Sequence, residues 1–190
     1  MSNVDWNSIA DQKSGNRKSE DLVFLNSKNL PQTFLPSPDI EKYTSVYDET
    51  TKKNRPPSGS DDDEKVRTQY LFYGLFFDKG QKSIKICCCG QQVAKGIGTV
   101  QKSLSNLGLI SFVKVSSTGS GLGTEYSVEA VKVGDKNITP DVWNRLEDEV
   151  KKLPALDEMR DRLLGLKSDS NEAPDIGAVS AMNKADILDI

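Results

Sequence analysis

The sequence predicts a mainly β domain with helices: a small, strongly curved barrel with one inserted helix, a C-terminal helical segment and flexible ends. Three observations point there. Lys65–Asp78 is dense in β-formers, with Tyr70, Phe72, Tyr73, Phe76 and Phe77 falling inside eight residues. Gln91–Gly108 then switches to a helical period, and Ile110–Val133 returns to strand. Hydrophobic residues make up only 36% of the 190 residues, so part of the chain stays outside any core.

Taken in order, residues 1–63 read as an irregular lead-in with isolated apolar residues at Trp6, Ile9 and Leu22–Leu25, and with one further strand as an option over 22–35. Pro31, Pro36 and Pro38 hold the chain extended. Lys52–Glu64, KKNRPPSGSDDDE, combines Pro, Gly, Ser and an acidic run and reads as a mobile, exposed loop. The core spans 64–134. Alternation in its first strand puts Val66, Tyr70, Phe72 and Phe76 on one face, and Arg67, Leu71, Tyr73, Leu75 and Phe77 on the other. Gly74 marks a bulge or bend. Asp78-Lys79-Gly80-Gln81 is a hairpin turn leading into KSIKICCCG, where Ser83, Lys85, Cys87 and Cys89 oppose Lys82, Ile84, Ile86 and Cys88.

Val93, Ile97, Val100, Leu104 and Leu107 then recur at helical steps, with Gly108 placed to end the helix and Gly96 and Gly98 weakening its first turns. Ile110–Ser117 and Glu125–Val133 are strands joined by the Gly-rich turn Thr118–Thr124. Over 135–167, Thr139-Pro140 starts a helix bearing Trp143, Leu146, Val150 and Leu153. Pro154 interrupts it, and Leu156, Met159, Leu163 and Leu164 continue as a second helix. Residues 168–190 are polar, with one Lys against five Asp and Glu, and read as a disordered acidic tail ending in Asp186, Ile187, Leu188, Asp189 and Ile190.

Several functions fall away. No apolar run approaches the roughly 18 residues of a membrane span, and the N-terminus has no apolar stretch behind a basic start, so it does not read as a secretory signal. Histidine is absent, which removes imidazole acid–base chemistry and His-activated nucleophiles. Cys87, Cys88 and Cys89 are consecutive, so in a strand they point to alternate faces and cannot converge on one metal; they read as small buried hydrophobes. GIGTV and GSGLGT lack the third glycine or the Lys-Ser/Thr of a phosphate-binding loop, and the acidic runs read as solvated surface. The chain therefore reads as a non-enzyme without cofactor or metal.

Charge supplies the positive signal. Residues 64–132 carry nine Lys and Arg against four Asp and Glu, a net of +5, whereas 1–63 carries −3 and 133–190 carries −5. Single-stranded nucleic-acid binders pair a cationic groove with aromatic faces on which bases stack. The residues that fit this role are Arg67, Tyr70, Tyr73, Phe77, Lys79, Lys82, Lys85, Lys95, Lys114 and Tyr126, with Lys102 adding charge and Phe72, Phe76 and Phe112 adding rings. About half of the rings fill the interior that a small barrel needs. Tyr suits a wet face better than Phe because its hydroxyl tolerates water.

Ile110–Val128, ISFVKVSSTGSGLGTEYSV, resembles a stretch of the form D-x-x-I-x-R-T-G-S-G-L-D-T-x-Y-S-V in single-stranded DNA-binding proteins of tailed bacteriophages. The helix Val93–Leu107 and the strand and turn Phe76–Gly80 are similar to the same family, and the match covers roughly 65–130. Gly123 stands where the family often has Asp, and Ser116-Ser117 where it has more basic residues. The resemblance implies a five-stranded OB-type barrel, sequence-independent binding of single-stranded DNA in phage replication, recombination or repair, and a location in the host cytoplasm. It also implies an acidic tail that recruits replication or transcription proteins and competes with DNA for the basic groove. Two other readings fit the residues: a phage polymerase accessory acting through the Trp143–Leu164 stripe and the Ile187–Ile190 terminus, and a scaffold module whose rings are all core. Self-association and the choice between DNA and RNA stay open at this level.

Overall fold

A computed structural model describes residues 21–167, apart from position 79, positions 120–122 and positions 134–136. The strands are β1 (Leu22–Phe24), β2 (Gln32–Asp48), β3 (Lys53–Arg55), β4 (Arg67–Asp78), β5 (Gln81–Gly90), β6 (Phe112–Thr118) and β7 (Glu125–Val131). Helix α1 (Gln91–Ser105) lies between β5 and β6, and α2 (Asp141–Arg145), α3 (Glu147–Val150) and α4 (Leu156–Leu163) follow β7. The protein is mainly β with helices, as predicted. The irregular lead-in is corrected, because β1, β2 and β3 all arise from it and β2 is the longest strand at 17 residues.

The strands form one curled, open sheet in the order β1-β5-β4-β2-β6-β7, with β3 attached to β2. Among the described residues the sheet has seven strands where five were expected, and its path ends at β1 and β7 without joining them. Only β1 and β5 run parallel; β2, β3, β4, β5, β6 and β7 pair antiparallel. The β4–β5 hairpin turns at Gly80 with φ 84°, as the Asp78–Gln81 reading expects.

The irregularity expected at Gly74 belongs to β2 instead. The β2–β4 register shifts between Pro36 and Ile40, where Pro36 and Pro38 have no N–H to give the ladder. Ser37 fills the gap: its hydroxyl accepts from the Tyr73 N–H at 3.1 Å and donates to the Asp39 carbonyl at 3.0 Å. Gly74 sits directly across from Pro36, and a Cβ there would lie 2.7 Å from Cys87 Sγ, so close packing explains the glycine.

The sheet separates two apolar layers. On one face, α1 places Val93 and Ile97 over Phe34, Phe72, Phe76, Cys87, Val113 and Val115. Gly96 permits this approach, since a Cβ there would lie 2.6 Å from Val128 Cγ2. The helix ends at Ser105 and the chain reverses through Gly108 at φ 65°. On the other face, α2 and α4 bring Val142, Trp143, Met159 and Leu164 onto Leu35, Tyr43, Leu71 and Tyr73. The segment read as a separate helical piece over 135–167 thus shares the sheet's core. Polar ties reinforce it. Trp143 Nε1 donates to the Pro36 carbonyl at 3.2 Å, Lys82 pairs with Glu149 at 2.6 Å, and Arg160 bridges to Glu41.

The loop read as mobile over Lys52–Glu64 contains β3 and is organised around Asp61. That carboxylate accepts from both Arg55 guanidinium nitrogens at 2.7 and 2.6 Å and from the Ser58 N–H at 2.6 Å. The Arg55 hydrogen bonds come first among the causes that hold the Asp61 carboxyl well below the usual carboxylate range. Among the described residues, no helix is long and apolar enough to cross a membrane.

The three cysteines are buried and unpaired. Alternation sends Cys87 and Cys89 into the α1 layer and Cys88 into the opposite one. Burial pushes the Cys88 thiol up to about 11 and the Cys89 thiol up to about 12, and raises Cys87 too. All three should resist Ellman's reagent at about pH 8 until the chain is unfolded. Below the ordinary thiol value of 9.0 both folded and unfolded chains keep these protons. Between 9.0 and about 11–12 the unfolded chain loses protons that the folded one retains, so unfolding midpoints should fall as pH rises through that window. Rapid labelling of the native protein would place a thiol at the surface and overturn this reading.

Candidate nucleic-acid interface

The alternation that builds the two layers also sorts the sequence-predicted residues. Tyr70, Phe72, Gly74 and Phe76 of β4 face α1, together with Lys85 and Cys87 of β5 and Tyr126 of β7. Arg67, Tyr73 and Phe77 of β4 face the α2–α4 side, with Lys82 of β5 and Lys114 of β6. The set chosen from composition therefore does not form one surface.

On the α2–α4 side, Tyr73 is only 8% exposed, and its hydroxyl donates to the Pro154 carbonyl at 3.1 Å. Lys82 is 7% exposed with its ammonium on Glu149, and Phe77 packs on Phe112 with ring centroids 5.7 Å apart. Placing Tyr73, Phe77 and Lys82 on an open binding face is corrected: the C-terminal segment holds Tyr73 and Lys82, and Phe77 packs half-buried on Phe112. Lys114 faces Glu129 across β6 and β7 at 3.6 Å, and Arg67 is exposed at the start of β4. Lys79 and the tail Asp186–Ile190 lie outside the described residues.

The α1 side carries a groove of about 620 Å³ between the helix and the bulged part of β2. Pro36, Pro38 and Ile40 supply one side, and Ala94, Lys95, Gly98 and Lys102 the other. Tyr70, half-buried, and Phe72 line it from β4. Of the residues put forward from the sequence the groove collects Tyr70 and Lys95, with Lys102 and Phe72 from the wider set of charges and rings. Lys85 and Tyr126 share this face but do not line the groove.

Its electrostatics are one-sided. Among the described residues no Asp or Glu lines the groove, and neither Lys95 nor Lys102 has a charged partner. Both project from exposed positions of α1 seven residues apart, about 10 Å along the axis. Lys42 stands directly opposite Tyr70 in the β2–β4 pairing and is exposed, extending the positive strip beyond the groove. Ile40, 60% exposed, is the largest open apolar residue of that strip. Ile40 and Lys42 escaped sequence reasoning because they sit in the stretch taken as irregular. No apolar/polar alternation marks 40–45, where Ile40, Lys42 and Thr44 share one face and Glu41, Tyr43 and Ser45 the other, so no local signal pointed to a strand.

The arrangement can hold a chain that is anionic along its length and offers flat apolar groups between its charges. The half-buried Tyr70 ring and the apolar β2 segment receive the flat groups, and the two ammonium groups meet the anions. No protein family, no curated protein and no solved structure matches the chain.

Proposed function

We propose that the protein binds single-stranded DNA without sequence preference, on an OB-type barrel, in phage replication, recombination or repair. The observation that carries this reading is the groove in which Tyr70 and Phe72 lie beside Lys95 and Lys102 with no acidic side chain among the described residues that line it. Stacking on the aromatic supplies affinity per base, and the ammonium groups neutralise phosphates. The resemblance of Thr118–Val128 to phage single-stranded DNA-binding proteins supports the biological setting. Strand order supports the barrel type. The five longer strands run β5-β4-β2-β6-β7 with α1 between β5 and β6, in keeping with the partly open five-stranded OB arrangement; β1, β3 and α2–α4 are additions.

The polymerase-accessory reading rested on an apolar stripe offered to a partner by Trp143–Leu164 and on the Ile187–Ile190 terminus, which lies outside the described residues. Trp143, Leu146, Met159 and Leu164 are buried on the sheet instead, so that stripe is not presented.

The test is the salt dependence of oligo-dT binding. Replacing both Lys95 and Lys102 by alanine should leave the fold intact, because both are exposed and unpaired. It should flatten the plot of log affinity against log salt by roughly 1.4, at about 0.7 per phosphate contact on a single strand. An unchanged slope would move the binding site away from the groove, and no binding to oligo-dT at low salt would remove the function.

A further inference from the structure

We infer that the groove takes single-stranded RNA as readily as single-stranded DNA. The inference rests on the single-strand reading above and deepens it.

Besides Tyr70 and the two lysines, the polar side chains lining the groove are Ser37, Gln101 and Ser105, and each already makes hydrogen bonds inside the protein. Gln101 donates from Nε2 to the Ser111 carbonyl at 2.7 Å and accepts at Oε1 from the Ser111 N–H at 3.1 Å. Ser37 is occupied on both sides of the β2 bulge by the Tyr73 N–H and the Asp39 carbonyl. The Ser105 hydroxyl donates back to the Lys102 carbonyl at 2.9 Å. Such groups would have to be open to read a base edge or a ribose hydroxyl, since telling RNA from DNA at a given position depends on partners for the 2′-hydroxyl.

What the groove leaves open is apolar surface, the Tyr70 ring with its hydroxyl, and two ammonium groups on flexible stems. A ring stacks on any base, and an ammonium meets any phosphate as a point charge. Neither depends on the sugar. A duplex is a different matter, because its base faces are covered by stacking and cannot reach Tyr70. Selection therefore falls on strandedness rather than on base or sugar.

The experiment compares the full-length protein on labelled oligo-dU and oligo-rU, which differ only in the sugar. Each is about 12 nucleotides long, within the range bound by one domain of this kind. Fluorescence anisotropy at low salt should give dissociation constants of the two within about threefold, because one hydrogen bond to the 2′-hydroxyl would separate them by up to about tenfold. The variant lacking Lys95 and Lys102 should weaken both by the same factor. A preference of more than about threefold for either sugar, or a variant that weakens only one, overturns the inference while the binding function stands. If neither oligonucleotide binds, the function itself falls and the inference with it.

Discussion

Trp143→Ala should lower the unfolding free energy by about 3–5 kcal/mol, the range for removing a large buried aromatic. Against a total of about 5–15 kcal/mol for an ordinary domain, that is a large fraction. Trp143 is 8% exposed and packs α2 onto the sheet face that holds Leu35, Tyr43 and Leu71. Its indole N–H is also the partner of the Pro36 carbonyl, at the point where β2 leaves regular pairing. Truncation thus opens a cavity and strips an acceptor beside the bulge. Trp143→Phe separates the two terms: most of the bulk stays and the donor goes, so a smaller loss of about 1–3 kcal/mol is expected. Urea denaturation followed by circular dichroism measures both, with one transition and an unchanged m value if the helices and sheet unfold together. A shift under about 1 kcal/mol for Trp143→Ala would mark α2–α4 as an appendage rather than part of the core.

How far such a result was foreseeable differs along the chain. The β4–β5 hairpin, α1 and the β6–β7 pair were legible because each has strong local periodicity and a glycine at the reversal that follows it or joins it, Gly80, Gly108 and Gly119 respectively. The faces of β4 and β5 also followed from simple alternation, down to the split of Cys88 from Cys87 and Cys89. β2 was not legible. Pro36 and Pro38 normally argue against a central strand, and only the Ser37 hydroxyl, which stands in for the missing ladder partner of Tyr73, makes them tolerable. That compensation is tertiary and leaves no mark in a local window. The place of α2–α4 was hidden for the same reason: an amphipathic stripe declares an apolar face but not what covers it.

Charge shows the limit most plainly. The basic middle suggested one cationic surface, yet Lys82 and Lys114 have acidic partners in Glu149 and Glu129, and Glu149 comes from the acidic C-terminal region. Lys42, Lys95 and Lys102 keep no charged partner on the α1 side, while Arg67 is exposed on the opposite face. The net charge of a segment counts residues; the field at a groove depends on which of them kept their counter-ions.

Tyr70 and Tyr73 turn this sorting into an expected pair of opposite results. They lie three residues apart on β4, on opposite faces. Tyr70→Ala should weaken oligo-dT binding by about 1–3 kcal/mol, the value of one stacked base and roughly 5–150-fold in affinity. Its stability should fall less than that of Tyr73→Ala, because the ring is half-buried, packing at the edge of the α1-side core while it lines the groove. Tyr73→Ala should do the reverse. Removing a ring that is 8% exposed, with its hydroxyl bond to Pro154, should lower stability by about 3–5 kcal/mol. The fraction still folded should bind oligo-dT as the parent does. Anisotropy titrations corrected for folded fraction by circular dichroism read both quantities on each variant. Binding by Tyr70→Ala within about twofold of the parent would deny the groove its stacking platform, since one lost base contact costs at least about 1 kcal/mol. A binding defect confined to Tyr73→Ala would instead put the nucleic acid on the side that α2–α4 cover, and would require those helices to lift away before a strand could enter.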